Sequence, residues 1–451
     1  MEKKWEEMTA DEKQEAMFQR WASPKDAEGN PLQFESPEAE KLYKERTTRI
    51  KDAVQMKKMP DRIPVFAVPS FYPAHYSRYT PQEIMYDYKK CYDAWIKFYV
   101  DFQPDAHTGA VLGGPGKVFD LLDYKLYAYP GHGVAPEHSY QCLEKEVMQA
   151  DEYDVLIADP GQFFAARFIP RAYGALEDLT MNPIPEIGVL EMYGNAMSFL
   201  PYGLPPVQEA YKKLFEAGAE VLNYIGVIGG FDGEMAAKGM PSNAGGMAKA
   251  PFDCIGDTLR SSRGVFMDMY RQPDKLIKAM EVLVPINIQN AIAMCEQAGN
   301  PLVMMPLHKG ADGFLSDEQF KTFYWPSLKA VLLGLIENGL VPFPFVEGGF
   351  NSRLKYLQEI PRGTMIWLFD ATDMAQAKEI VGGTSCIAGN MPMSLLALGT
   401  VQEVKDYAKK LIDTAGKGGG FIMSNGAFFD DVKPENLHAM IDFTKEYGVY
   451  T

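Results

Sequence analysis

The stretch from 301 to 353 constrains the fold more than any other part of the chain. Two short apolar runs, 302–307 and 340–346, flank a segment with apolar residues at three- and four-residue spacing. That spacing predicts an amphipathic helix between two buried strands, with a kink at Pro326. A strand, a helix and a second strand in this order predict a βαβ unit with parallel strands. Both apolar runs end abruptly in polar residues, which places functional groups at the carboxyl ends of the strands.

The same alternation of strand and helix patterns recurs along the chain. The runs that predict strands lie at 63–68, 105–111, 245–250, 302–307, 340–346, 365–369, 386–389 and 420–424. Eight parallel strands with intervening helices predict an α/β protein of the (β/α)8 TIM barrel class. A doubly wound open sheet is the alternative. It would want a glycine-rich phosphate turn after the first strand, where this sequence has Pro69-Ser70-Phe71.

Two segments lie outside the alternation. Residues 1–60 carry helical patterns with Glu-, Lys- and Gln-rich faces, so we predict an N-terminal helical arm before a barrel at 61–451. From 117 to 240 the sequence is rich in Tyr, Phe, Pro and Gly and has no regular alternation. We interpret this part as an insertion of helices and ordered loops that forms a lid over the barrel mouth. A separate small domain is the alternative.

Charge and cysteine usage exclude several classes of protein. The formal net charge is −16 and no basic run is present, which argues against nucleic acid and anionic membrane surfaces as partners. The charged N-terminus lacks the apolar region of a signal peptide, and no apolar run approaches the length of a membrane span. The five cysteines lie far apart with no CxxC spacing, as expected of reduced thiols in a cytoplasmic protein.

Polar side chains follow most of the predicted strands. In a closed barrel all carboxyl ends share one face, so these groups should converge on one cavity roofed by the insertion. The set comprises His107, His308, Asp312, Glu347, Asn351, Asp370, Asp373, Asn390 and Asn425. His308 and Glu347 follow adjacent strands, which predicts zinc ligation or general acid–base catalysis. A solvated histidine bonded to a carboxylate is the alternative for this pair.

Five segments resemble the uroporphyrinogen decarboxylase superfamily. They read QMKKMPDRIPVF, KAPFDCIGDTLRSSRGVFMDMYRQPDKLIKAM, LHKGADGFLSDEQFKTFYWPSLKAV, CIAGNMPMSLLALGTVQEV and FIMSNGAFFDDVKPENLHAMIDFTKEYG. The resemblance covers about 60–68 and 245–450, and the insertion resembles no part of the family. It implies a (β/α)8 barrel with its site at the mouth, in agreement with the strand count.

The resemblance leaves two kinds of chemistry to separate. The decarboxylases hold the substrate's carboxylates with arginines in an Arg-Gln-Ala-Gly-Arg loop after the first strand, where this chain reads SFYPAHYSR and has no arginine pair. The corrinoid methyltransferases bind zinc through His-x-Cys after the fifth strand and a Cys near the eighth. Here Glu347-Gly348-Gly349 and Asn425 stand at those places. The thiolate site is therefore missing, and an oxygen and nitrogen site of Glu347 with His308 is left for zinc.

These implications favour a corrinoid-dependent methyltransferase of the O-demethylase type. It would move a methyl group from a small methoxylated or methylated compound to a corrinoid on a separate corrinoid-binding protein. His308, Glu347 and Asp370 are then the catalytic residues, and the rest of the polar set binds substrate. A decarboxylase or lyase acting on a small carboxylated or aromatic substrate without cobalamin is the alternative, and a non-catalytic binding protein is the third class. A homodimer is compatible with the sequence.

Overall fold

Six parallel strands form the main sheet of the computed structural model, which describes residues 3–26, 28–110, 114–182 and 191–450. The strands of the described residues are β1 (Tyr127–Pro130), β2 (Gly133–Val134), β3 (Gln141–Cys142), β4 (Gly246–Met247), β5 (Leu302–Leu307), β6 (Val341–Val346), β7 (Ile366–Phe369), β8 (Cys386–Ala388) and β9 (Phe421–Ile422). In the main sheet β4 to β9 lie side by side in chain order. Parallel neighbours need crossover connections, and helices supply them. The predicted α/β fold with a parallel sheet is confirmed.

The first two predicted strands, 63–68 and 105–111, are present as isolated parallel bridges and not as continuous strands. The bridged pairs are Val65 with Met423, Phe66 with Ala106, and His107 with Ser242. These bridges continue the order of the main sheet from β9, through the two segments, to the residues just before β4. Residue 111, the last of the second predicted strand, lies outside the described residues.

Both faces of the main sheet are buried. Met304, Phe343 and Leu368 belong to one apolar cluster, whereas Val303 and Trp367, their neighbours in the chain, belong to the cluster beneath the surrounding helices. Successive side chains of a strand point to opposite faces, so two clusters form from one set of strands. Burial on both faces is the reason why these strands read as continuous apolar runs.

The predicted helices are present, several of them divided. The α-helices of the described residues are Ala10–Trp21, Pro37–Gln55, Tyr72–Tyr76, Pro81–Tyr86, Tyr88–Phe102, Gly116–Leu122, Tyr153–Ala158, Pro160–Phe163, Ile169–Ala172, Met192–Met197, Pro205–Ile228, Phe231–Ala237, Pro251–Asp253, Ser261–Arg271, Pro273–Ala298, Asp317–Gln319, Trp325–Glu337, Leu354–Leu357, Met374–Ile380, Met393–Leu398, Val401–Leu411 and Pro434–Tyr447. A π-helical turn, Phe320–Tyr324, precedes Pro326 and joins two pieces of the helix between β5 and β6. Such a turn accommodates the missing proline N–H without ending the helix.

The N-terminal arm packs at the amino ends of the strands. Phe18 and Ile50 belong to the same apolar cluster as Leu302, the first residue of β5. A buried ion pair adds to this contact, because Arg49 of the second arm helix donates to Asp105 over 2.8 Å. Burial opposes ionisation of Asp105, yet the arginines around it hold its pKa below the ordinary value. The arm therefore covers the end of the sheet opposite to the predicted site. The division of the chain into domains stays a prediction.

The insertion differs from its prediction in one respect. It contains helices and loops as expected, but also the small sheet of β2, β1 and β3, in which β1 pairs antiparallel with β3. The prediction of helices and loops alone was wrong, because strands of two to four residues are too short for a periodic pattern to reveal them. Residues 183–190 of the insertion lie outside the described residues.

Among the described residues one helix, Pro273–Ala298, is long and apolar enough to cross a membrane by length and composition. One helix of this kind is weak evidence, since core helices of other proteins meet the same criterion. Leu276, Ala279 and Met280 of this helix lie in the main apolar cluster.

Candidate functional site

Three successive elements bring a cluster of charged side chains together at the carboxyl ends of β5 and β6. His308 follows β5, Glu347 follows β6, and Asp257 lies on the π-helical turn Cys254–Leu259 that comes after β4. Nδ1 of His308 lies 2.6 Å from Oδ2 of Asp257, and Nε2 lies 3.6 Å from Oε1 of Glu347. The imidazole is therefore held between two carboxylates.

Asp253 fixes the loop that carries His308. Its two carboxylate oxygens accept the backbone N–H groups of His308 and Lys309, each over 3.0 Å. The hydroxyl of Tyr324 donates to the same carboxylate over 2.6 Å. Burial, followed by the charge of Asp257, raises the pKa of Asp253. Asp253 is fully buried and therefore remote from solvent. Through these hydrogen bonds it positions His308.

Two lysines neutralise Asp257. The ammonium groups of Lys249 and Lys309 each lie 2.5 Å from one of its oxygens. Burial opposes the ionised form of Asp257, but the hydrogen bond with His308 and the charge of Lys249 hold its pKa below the ordinary value. A Cβ on Gly256 would lie 2.7 Å from Cδ of Lys309, so glycine at this position leaves room for the lysine side chain. Asp257 therefore stays ionised to a lower pH than an ordinary aspartate, and it lies among three basic side chains.

The electrostatics make His308 a proton donor. Burial disfavours the imidazolium, but the hydrogen bond and charge of Asp257 outweigh it and raise the pKa of His308. Because an ionised carboxylate can only accept, Nδ1 carries a proton, and in the imidazolium Nε2 does so as well. Burial also raises the pKa of Glu347. The side chains of His308 and Glu347 are 33% and 46% exposed, so a substrate can reach Nε2.

Asp370 joins the cluster through the loop after β6. Its Oδ2 accepts the backbone N–H of Gly348 over 3.0 Å, and burial raises its pKa. Its charge also contributes to the raised pKa of Glu347. Asn390 supports this arrangement from below, since its amide donates to the carbonyl oxygens of Asp370 and Thr372. The amide of Asn390, which we predicted to bind substrate, thus holds the loop after β7.

Asn425 bonds to the backbone, and His107 packs among aromatic side chains. The Asn425 amide accepts from the N–H of Val68 and donates to the carbonyls of Val68 and Ala427, which uses its polar atoms on the backbone. The ring of His107 is fully buried and packs edge-on against Phe231. Among the described residues neither of its nitrogens has a hydrogen-bond partner, and burial lowers its pKa. The substrate contacts predicted for these two residues stay predictions without support from their surroundings.

The three remaining predicted residues bond to the loops that follow the strands. Asp312 accepts from the hydroxyl of Ser352 over 2.7 Å. Asn351 accepts the backbone N–H of Asp373, and Asp373 caps the helix Met374–Ile380 by accepting two of its N–H groups. Each of these polar groups therefore has a local partner.

The insertion contacts the π-helical turn that carries Asp257. The backbone N–H groups of Val147 and Met148 both donate to the carbonyl of Leu259, at the end of the π-helical turn with Asp257. Tyr140 lies near Glu347, whose charge adds to the effect of burial in raising the tyrosine pKa. Tyr140 also lines a cavity of about 720 Å³ between the small sheet and Asp430. Part of the insertion therefore lies beside the cluster.

Sequence reasoning missed the residues that hold His308 in place. They are Lys249, Asp253, Asp257, Lys309 and Tyr324. The two aspartates four residues apart, directly after the third predicted strand, were the available signal, because that spacing places both on one side of a helical turn.

The donor set fits zinc only in part. Asp257 orients Nδ1 of His308, as carboxylates do for zinc-bound histidines, and leaves Nε2 free beside Glu347. Catalytic zinc sites, however, have three protein ligands. No group of three or more His, Cys, Asp or Glu with metal-binding spacing occurs among residues 3–26, 28–110, 114–182 and 191–450. Zinc ligation by His308 and Glu347 stays a prediction, and no chemical step below depends on it.

Residues 237–447 match the family model described as uroporphyrinogen decarboxylase (URO-D). Two similar curated proteins are uroporphyrinogen decarboxylases. That of Syntrophotalea carbinolica is 23% identical over 175 residues, which cover 39% of this chain and 49% of the relative. That of Chlorobium phaeovibrioides is 35% identical over 79 residues, which cover 16% of this chain and 22% of the relative. The chain thus spans half or less of the length of the curated relatives it matches.

A solved structure shares the fold. A methyltransferase from Methanosarcina mazei is 15% identical, with a TM-score of 0.53 over 90% of this chain and 98% of that chain. The cluster around His308 lies entirely within the part that matches the family model. The resemblance stated from the sequence is confirmed for this part.

Proposed function

We propose, from the match of residues 237–447 to the uroporphyrinogen decarboxylase family model, that the protein is a corrinoid-dependent methyltransferase of the O-demethylase type. Its substrate is a small methoxylated or methylated compound, and the methyl acceptor is a corrinoid carried by a separate protein. We further propose that the isolated bridges close the main sheet into a (β/α)8 barrel. They extend the order of β4 to β9 through the segments 63–68 and 105–107 and back to β4.

The observation that carries this proposal is the orientation of His308. Asp257 fixes its Nδ1–H, so its Nε2 faces Glu347 at the open side of the cluster. When the O–CH₃ bond of an ether breaks, the methyl group leaves for the reduced cobalt and the oxygen keeps the electron pair. That oxygen needs a proton, and Nε2–H of the imidazolium donates it. Glu347 then returns a proton to His308 from solvent.

The surrounding charges disfavour a polycarboxylate such as a porphyrinogen. Lys249 and Lys309 both bind Asp257 and are therefore not free to hold a substrate carboxylate. Glu347 and Asp370 bring further carboxyl groups, and the raised pKa values of both reflect how poorly negative charge is solvated there. A neutral methyl ether meets no such repulsion.

A decarboxylase or lyase acting on a small substrate without cobalamin is the second candidate. The observation in its favour is that both curated relatives are decarboxylases. In that reaction His308 would protonate the carbon that loses carbon dioxide, so the same residue would act as the general acid.

The two candidates separate in one experiment. Purified protein is mixed with cob(I)alamin and a panel of methoxylated aromatic compounds, and both the visible spectrum and carbon dioxide release are followed. Formation of methylcobalamin supports the proposal, and carbon dioxide release that needs no cobalamin supports the second candidate. The His308→Gln variant should lose turnover, whereas His438→Gln, on the exposed side of the helix Pro434–Tyr447, should keep it. Equal turnover by both variants contradicts the role of His308.

A further inference from the structure

The long helix of the insertion, Pro205–Ile228, has two apolar faces and buries only one. Val207, Ala210 and Ala217 are buried, and this side packs on the neighbouring helices of the insertion. On the other side Phe215 is 70% and Leu222 75% exposed. A helix with apolar residues on both sides indicates that its second face is covered by another surface.

The exposed face extends beyond the helix. Ring contacts run without a break from Phe199 through Tyr202 and Tyr211 to Phe215, with centroid separations of 5.6 to 6.3 Å. Phe199 is 69% exposed and Tyr202 45% exposed. We call this surface, together with Gly218, Leu222, Ile225 and Gly226, the second apolar face.

The size of the second apolar face matches an interface. A buried aromatic side chain covers about 150–250 Å², so Phe199 and Phe215 at their observed exposure contribute on the order of 250 Å². With Tyr202, Leu222 and Ile225 the total is on the order of 500–600 Å², at the upper limit for the largest patch of a monomer. A standard interface needs about 800 Å² per partner, of which somewhat more than half is apolar. The apolar part of one such interface is therefore present.

The face is complementary to itself. Around position 220 the large and small residues are arranged symmetrically: Leu222 and Gly218 lie two residues to either side, and Ile225 and Phe215 five residues to either side. If two such helices pack antiparallel, Leu222 of each copy meets Gly218 of the other, and Phe215 meets Ile225. A Cβ on Gly218 or on Gly226 would have no atom within 4 Å in a single chain, so a second helix can approach closely at both glycines.

We propose that the second apolar face binds the same face of a second copy of this chain, with the two Pro205–Ile228 helices antiparallel across a twofold axis. A twofold interface requires that residue i contact residue j and residue j contact residue i, which the pairing of Leu222 with Gly218 satisfies. The net charge of −16 disfavours an anionic membrane as the alternative occupant.

Sedimentation equilibrium tests the association. Wild-type protein should have about twice the 50.4 kDa mass of one chain. Leu222→Asp should weaken the dimer at least tenfold, because each interface would bury two carboxylates. Leu398→Asp is the matched control, since Leu398 is 79% exposed on the helix Met393–Leu398 and should leave the dimer intact. A monomeric wild type, or a Leu222→Asp dimer of unchanged affinity, overturns the proposal.

A second variant guards against misfolding, and cross-linking tests the orientation. Gly218→Gln has room in the single chain and fills the position that Leu222 of the second copy would occupy. It should therefore be folded by circular dichroism and monomeric by sedimentation equilibrium. In a Cys142→Ser background, Phe215→Cys mixed with Ile225→Cys should form a disulfide between the two variants. A disulfide between two Phe215→Cys chains, or pelleting of wild type with phosphatidylcholine vesicles in place of dimer formation, contradicts the antiparallel dimer.

Discussion

Replacing Asp257 by asparagine should lower the pKa of His308, because the carboxylate is the main source of its raised value. An opposite charge within hydrogen-bond distance typically shifts a pKa by about 1–3 units. His308 is 33% exposed, so solvent screening reduces the effect. Lys249 and Lys309 increase the expected fall of the His308 pKa, since without the carboxylate their charges would repel the imidazolium. We therefore expect a clear fall in the pKa of His308, in the direction set by the loss of the carboxylate.

The sign of the stability change follows from the same shift. A histidine whose pKa is raised on folding contributes stability below its unfolded pKa of about 6.5, and this contribution is lost as the pH rises through the folded pKa. Asp257 has a lowered pKa and contributes stability above its unfolded value of about 3.9, which is lost as the pH falls through the folded pKa. The wild type should therefore exceed Asp257→Asn in stability most strongly between about pH 4 and 6.5.

Histidine NMR measures the predicted fall directly. The chain has six histidines, and the resonance missing from His308→Gln identifies the one in question. Asp312→Asn is the control, because Asp312 also follows β5 but bonds to Ser352, and it should leave the His308 titration unchanged. A His308 pKa in Asp257→Asn equal to that of the wild type would refute the assignment of Asp257 as the residue that charges it.

Three further predictions follow from the same region. In thermal unfolding, Glu347→Gln should stabilise the protein at pH 8 but not at pH 4. Burial raises the pKa of Glu347, so ionisation of the carboxyl group destabilises the folded state. Equal stability changes at both pH values would contradict this. If His308 and Glu347 bind zinc, elemental analysis should find about one ion per chain, absent from both His308→Ala and Glu347→Gln; stoichiometric metal in both variants excludes them as ligands. Asn425→Ala should lower the free energy of unfolding in urea by about 3 kcal/mol, because it leaves buried backbone groups unpaired. The folded variant should keep its turnover. Wild-type stability with lost turnover would instead place the amide on the substrate.

The strands and helices around the site could be predicted from the sequence, since each is encoded by a local pattern. β5 has the predicted bounds of 302–307, and a helix lies between β5 and β6, as the spacing of apolar residues predicted. The small sheet of the insertion could not be predicted in this way. Its strands are held by pairing between distant segments, as in the contact of Tyr127 with Cys142, and such pairing leaves no periodic signal.

The sequence by itself determined that His308 and Glu347 would follow neighbouring strands, because parallel strands in chain order place their carboxyl ends side by side. Only the tertiary structure decided which groups act on them. Asp257, which bonds to Nδ1 of His308, lies 51 positions earlier in the chain. Asn425, which the same strand-end reasoning selected, forms hydrogen bonds through its amide to the backbone of Val68, 357 positions away. Hydrogen-bond partners that are distant in the chain are chosen by three-dimensional packing, so spacing can nominate a polar residue but cannot say whether its side chain is free.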